Sequence, residues 1–155
     1  MANVKVTTRW DVIEAVDGFN SPEFAQAIGD QLREEVIDSL SKGISPVQGE
    51  RKFEPYKNPK SYPGKRKPSS PVNLFLSGDL YRALEARLKG NSIIFGIFDP
   101  KVAKYAQAHQ DGNAHLPRRA IVPDDGEVFQ VSILRAILDL YKNRMAVILK
   151  SSNKK

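Results

Sequence analysis

The first strong pattern in the chain is an apolar stripe: Phe24, Ile28, Leu32, Val36 and Leu40 recur every four positions, while Asp30, Arg33, Glu34 and Asp38 occupy other faces. Ser21, Pro22 and Glu23 stand before it. They supply a hydroxyl for free amides, a proline where no amide is needed, and a carboxylate at the positive end of the helix dipole. Together they predict a helix over 22–42 with one packed face, stopped by Gly43 and Pro46. Ahead of it, Val4, Val6 and Thr8 alternate with polar neighbours, which predicts a short strand before Trp10.

Further along, Ser77 is the expected cap of a second helix over 77–88, with Leu80, Leu84 and Leu88 on one face and Gly90 as its stop. Residues 92–98 read Ser-Ile-Ile-Phe-Gly-Ile-Phe, a β-branched and aromatic run that predicts a buried strand. Pro100 opens a third helical stretch carrying Val102, Tyr105 and Ala106, which gives way to Asp111, Gly112 and Asn113. An extended piece over 116–123 and the turn Asp124-Asp125-Gly126 then lead to a last helix over 127–143. Its expected packing set is Val128, Val131, Leu134, Leu138 and Tyr141. The apolar run 145–149 fits either an extension of that helix or a final strand. The absence of an internal repeat argues against solenoids and propellers.

Between the first two helices the pattern stops. Residues 44–72 hold Pro46, Pro55, Pro59, Pro63, Pro68 and Pro71 with Gly49 and Gly64, a density that neither a helix nor a central strand tolerates. A long loop or arm is expected there. Arg51, Lys52, Lys57, Lys60, Lys65, Arg66 and Lys67 stand against Glu50 and Glu54, so this segment holds +5 of the chain's formal +6.

Composition narrows the class. A chain of 155 residues, 41% hydrophobic and 27% charged, is long enough for one core, so a single domain over 1–150 is expected, with 151–155 a frayed basic tail. Cysteine is absent, which removes disulfides, thiolate metal sites and a cysteine nucleophile. The first ten residues lack the apolar core of a signal peptide, and no stretch approaches the ~20 apolar residues of a membrane span. A soluble chain without membrane contact is therefore expected.

Candidate chemistry is thin. His109 and His115, with Asp111 between them, fit no familiar metal spacing and read as loop histidines; no cofactor is expected. Ser77 with a distant histidine and aspartate is a triple that any chain offers, and no nucleophile elbow accompanies it. Gly64-Lys65 lies among prolines rather than between a strand and a helix, so it is no phosphate loop. Asp124 and Asp125 read as caps for the last helix. An enzyme is not expected. The arm is the stronger candidate, because Phe53, Tyr56 and Tyr62 are interleaved with its cations: bases stack on aromatics and cations release counterions from phosphate. An extended strap for a neighbouring subunit and a plain solvated loop are the two other readings.

The order of blocks carries a resemblance. Leu76-Ser77-Gly78-Asp79-Leu80 opening a helix, a strand at 93–98, Tyr105-Ala106 followed by His109-Gln110 and Gly112, then Leu116-Pro117-Arg118-Arg119 and an amphipathic helix, form one series. It resembles the tailed-phage tail-completion and virion-morphogenesis protein family, which shows a Thr/Ser-Gly-x-Leu helix start, a strand, a Tyr-Ala-x-x-His-x-x-Gly block and a Pro-x-Arg-Pro-Phe block. The likeness covers residues 76–141, about half the chain, and departs at Arg119-Ala120-Ile121, where the family's Pro-Phe is replaced.

The resemblance implies an α+β subunit: a small, mainly antiparallel sheet with helices packed on one side and a long basic loop projecting away. It implies a structural protein of the virion neck or tail, made in the host cytoplasm, which forms a homo-oligomeric ring joining tail to head. Its neighbours would be portal or adaptor proteins or the tail tube and terminator, with DNA in the channel as a further contact. Ser77, Gly78, Leu80, Tyr105, His109, Gly112, Pro117 and Arg118 then become structural residues, and Tyr105 and His109, four apart, are expected as neighbours on one helical face. The arm residues Arg51, Lys52, Tyr56, Lys57, Lys60, Tyr62, Lys65, Arg66 and Lys67 become the contact surface, for a subunit or for DNA. The competing expectation is a DNA-binding module built on the 51–67 arm.

Overall fold

A computed structural model describes residues 5–9, 21–50, 52–55, 72–74, 78–89 and 92–152. The first helix, α1 (Pro22–Ser41), starts as its sequence requires: Ser21 Oγ accepts the Phe24 N–H at 3.1 Å, and Pro22 fills the first turn. It ends where Gly43 takes φ +71°, so that the Gly43 and Ile44 N–H groups return to the carbonyls of Leu40 and Ser39 at 2.9 and 3.1 Å. Phe24, Ile28, Leu32, Val36 and Leu40 are all buried, as the four-residue spacing predicts.

The fold is α+β. Three antiparallel strands, β1 (Lys5–Arg9), β2 (Leu84–Lys89) and β3 (Ser92–Ile97), lie in the order β1-β3-β2, with Leu84 opposite Ile97 and Lys5 opposite Gly96. The apolar run 92–98 is thus the central strand. Ile93, Phe95 and Ile97 face the core, and α1 lies over this side of β2 and β3. Close approach is possible because Gly29 has no side chain: a Cβ there would stand 2.4 Å from the Cβ of Ala86.

Two expectations are corrected. The second helix does not run over 77–88: α2 (Asp79–Ala83) is one turn, its N-cap is Gly78 at φ +82° without a side-chain cap, and Leu84 turns extended into β2. The segment Leu-Glu-Ala-Arg-Leu-Lys alternates strictly, so Leu80, Leu84 and Leu88 satisfy a helix while Leu84, Ala86 and Leu88 satisfy a strand. Pairing with β3 decides the matter, because it satisfies a second row of backbone groups on the most apolar strand. Leu84 is fully buried, whereas Leu88 stays exposed.

The last helix, α4 (Val131–Ser152), starts four residues later than expected and absorbs the run 145–149. Its predicted packing set is also the wrong stripe: Val128, Val131, Leu134 and Leu138 are 51, 46, 40 and 50% exposed, and Ile133 and Ile137 are buried instead. Tyr141 alone of that set packs, its ring 5.1 Å from that of Phe24 and edge-on. The helix carries two apolar stripes, and contact with α1 selects the isoleucine one.

Between β3 and α4, α3 (Pro100–Asp111) begins at Asp99, whose carboxylate accepts the Lys101 and Val102 N–H groups at 2.8 and 3.1 Å. It buries Ala103, Ala106 and Gln110 and leaves Tyr105 outside.

Gly29→Ala should lower stability by about 1–3 kcal/mol through overpacking, more than the ~1 kcal/mol of helix propensity it gains. Ala86→Gly in the same chain should recover part of the loss. Urea unfolding of the single and double variants checks this, and a stabilised Gly29→Ala chain would contradict the close approach.

Candidate assembly interface at the root of the basic arm

The arm does not project from its first residue. Ser45, Pro46 and Val47 are fully buried, and Ile44 pairs with Lys52 and Val47 with Phe129 in isolated antiparallel bridges. The Gln48 N–H donates to Val128 O, the Gln130 N–H to Pro46 O and the Phe53 N–H to Gly43 O, each at 2.8 Å. Ser45 Oγ donates to Ala120 O at 2.8 Å. Phe53 enters the core, so residues 44–50 with Lys52 and Phe53 form a pinned base.

The far end is pinned as well. Val72 and Leu74 are buried in the same cluster, and the Tyr81 hydroxyl donates to Asn73 O. Leu74 holds φ +55°, a conformation costly for a branched side chain and kept here by its surroundings. Residues 56–71 therefore connect two anchored points. Of the predicted contact residues, Lys52 is exposed on the base, and Arg51, Tyr56, Lys57, Lys60, Tyr62, Lys65, Arg66 and Lys67 lie outside the described residues.

The base is locked by the loop that follows α3. Gln110, 1% exposed, works as a small piece of sheet: Oε1 accepts the Ile121 and Val122 N–H groups at 2.8 and 3.3 Å, and Nε2 donates to Val122 O at 2.6 Å. The Arg119 N–H donates to His109 O at 2.7 Å. Gly112 takes φ +65° where the loop doubles back, and a Cβ there would lie 2.6 Å from Arg118 N.

Arg118 joins the loop to the arm. Nε donates to Gln110 O at 3.1 Å, Nη2 contacts Glu127 at 2.9 and 3.0 Å and Asp124 at 3.2 Å, and Nη1 binds Glu50. Partial burial opposes its charge, but the carboxylates, Glu127 foremost, then Glu50 and Asp124, outweigh that and hold its pKa above the ordinary value. Glu50 is one of only two acids in residues 44–72, so the outer arm is more uniformly basic than its composition suggests.

The sequence motif residues separate into two groups. Gly112, Pro117 and Arg118 belong to this loop and His109 O, near the end of α3, accepts from it, whereas Tyr105 is 70% exposed on α3 and takes no part in it. Gly78 and Leu80 begin the short α2 at the edge of the core, and Ser77 lies outside the described residues. Asp124 and Asp125 do not cap α4, which starts at Val131: the Asp124 carboxylate serves Arg118 and its N–H donates to Glu127 at 2.9 Å.

Gln110, Arg119 and Ser45 escape sequence reasoning. Arg119 is 2% exposed at the position where the family pattern is broken, and it donates to Glu54 O at 3.3 Å. A long polar residue followed by Ala120, Ile121 and Val122, all buried, was the available signal. Among the described residues no group of three or more His, Cys, Asp or Glu residues is placed to hold a metal, and no helix is long and apolar enough to cross a membrane. Comparison with family models, with curated proteins and with solved structures finds no match.

Gln110→Ala strands two buried N–H groups and a carbonyl, and should cost about 2–4 kcal/mol. Arg118→Ala removes partners that are about a third exposed and should cost about 1 kcal/mol. Denaturant unfolding of both variants checks the ranking; a more damaging Arg118→Ala would contradict it.

Proposed function

We propose that the chain is a structural, non-catalytic subunit of the neck or tail of a tailed-phage virion, which assembles as a ring and joins tail to head. The observation that supports this best is the root of the arm: a +5 segment is held at both ends by buried side chains and backbone hydrogen bonds. Such a base presents a long basic segment at a fixed place on the subunit, which is what a repeated contact between neighbours requires. The order of motif blocks over residues 76–141 supports the same reading. So does the sheet, in which, among the described residues, the edge strands β1 and β2 each leave one row of backbone groups for a neighbour to pair with.

Head-to-tail contacts of this kind close into a ring when the rotation between neighbours permits. Purified protein, alone or with a portal or tail-tube partner, should give a discrete ring-sized species by light scattering. A chain that stays monomeric with every such partner would remove the proposal's main content.

A second reading, DNA binding by the arm, is favoured by its charge and its interleaved Tyr56 and Tyr62. On that reading, changing Lys65, Arg66 and Lys67 to Gln should lower the slope of log affinity against log salt by about 2–3. Gel retardation of duplex DNA across a salt series measures it, and no retardation even at low salt would dismiss this reading.

A further inference from the structure

Residues 82–89, Arg-Ala-Leu-Glu-Ala-Arg-Leu-Lys, are all strong helix formers, and no β-branched or aromatic side chain stands among them. Yet Leu84–Lys89 is the edge strand β2. A helix would serve these residues as well: Leu80, Leu84 and Leu88 would share one side, and Glu85 precedes Lys89 by four positions, the favoured order for a helical ion pair. In the strand, Leu88 is exposed and Glu85 pairs with Arg87 instead. Local preference and observed conformation disagree here, and such conflicts gather at functional or strained places.

What stops α2 after one turn is a side chain of α1. The Leu84 N–H still makes a helical bond, to Leu80 O. Arg33 then donates from Nε to Leu84 O at 2.7 Å and from Nη2 to Tyr81 O at 3.0 Å. In a continuing helix those two carbonyls would receive the N–H groups of Leu88 and Glu85. Arg33 takes the place of both. The pairing of Leu84 to Lys89 with Ile97 to Ser92 of β3 and the full burial of Leu84 supply the rest of the hold.

We propose that residues 79–89 are a two-state element, with Arg33 as its latch: one form is the strand described above, and in the other α2 continues as a single helix from Asp79 to Lys89. The helical form sets Leu80, Leu84 and Leu88 on one apolar side and exchanges the Glu85–Arg87 pair for Glu85–Lys89. It also uncovers the side of β3 that β2 now closes, an apolar edge to which a strand of a second copy of this chain can add. The switch is a property of one chain and holds whether or not the subunit enters a ring.

A pair of histidines distinguishes the two forms. Residues 85 and 89 are about 13 Å apart along a strand and about 6 Å apart on one side of a helix, so Glu85→His with Lys89→His offers zinc two ligands together only in the helical form. Zinc then shifts the balance by its preference for that form. In the full chain, zinc should deepen the ellipticity at 222 nm by the equivalent of the six residues of β2. The midpoint should lie at a zinc concentration about tenfold below that of either single-histidine variant, and Arg33→Met should lower it about tenfold further. If Arg33→Met abolishes cooperative thermal unfolding, Arg33→Lys, which keeps one donor group, takes its place with a smaller shift in the same direction. A folded double-histidine chain whose ellipticity responds to zinc no more than the single variants do would overturn the proposal. So would a midpoint that the change at Arg33 leaves where it was.

Discussion

Residues 112–130 belong to no helix and no strand of the sheet, yet Arg119, Ala120, Ile121 and Val122 are buried, and buried backbone is costly unless each N–H and C=O finds a partner. Gln110 meets that constraint. Its carboxamide offers both an acceptor and a donor, fixed at the end of α3, and it serves Ile121 and Val122 as a neighbouring strand would. Once this loop is in place, Ala120 O is available to Ser45, Val128 O to Gln48, and Arg118 to Glu50. The base of the arm thus depends on Gln110, a side chain distant from it in sequence.

The other half of the molecule depends on ordinary packing. The α1 stripe lies between the sheet and α4, and Gly29 sets how near α1 comes to β2. Both halves share one cluster of buried side chains, in which Phe95 of β3 meets Phe129 from the loop at 6.2 Å between ring centroids. Movement of the arm base is therefore resisted by the same core that holds the sheet.

How much of this was legible in the sequence varies with the kind of signal. Local signals sufficed for α1, β3 and α3: a capping hydroxyl or carboxylate, a proline in the first turn, and an apolar period with a single solution. They failed where one segment satisfied two periods, as at Leu84, Ala86 and Leu88, and where one helix carried two stripes, as in α4. In both places the choice is made by a distant partner, β3 or α1, that no local pattern encodes. The arm was legible as a proline-rich break, but its buried ends were not, because Ser45, Gln110 and Arg119 are polar residues whose burial follows from pairing with far backbone groups. Of the residues in the motif series, Gly112 and Arg118 come together in the loop after α3, whereas Tyr105, named in the same series, is exposed on α3 and stands apart from them.

The proposed role is that of a base, pinned at both ends, which presents a basic segment for assembly. Electron microscopy of particles made without this protein tests that most directly. On the proposed role, such particles should be tailless heads alongside separate, finished tails. Normal particles, with tails joined to heads, would contradict it.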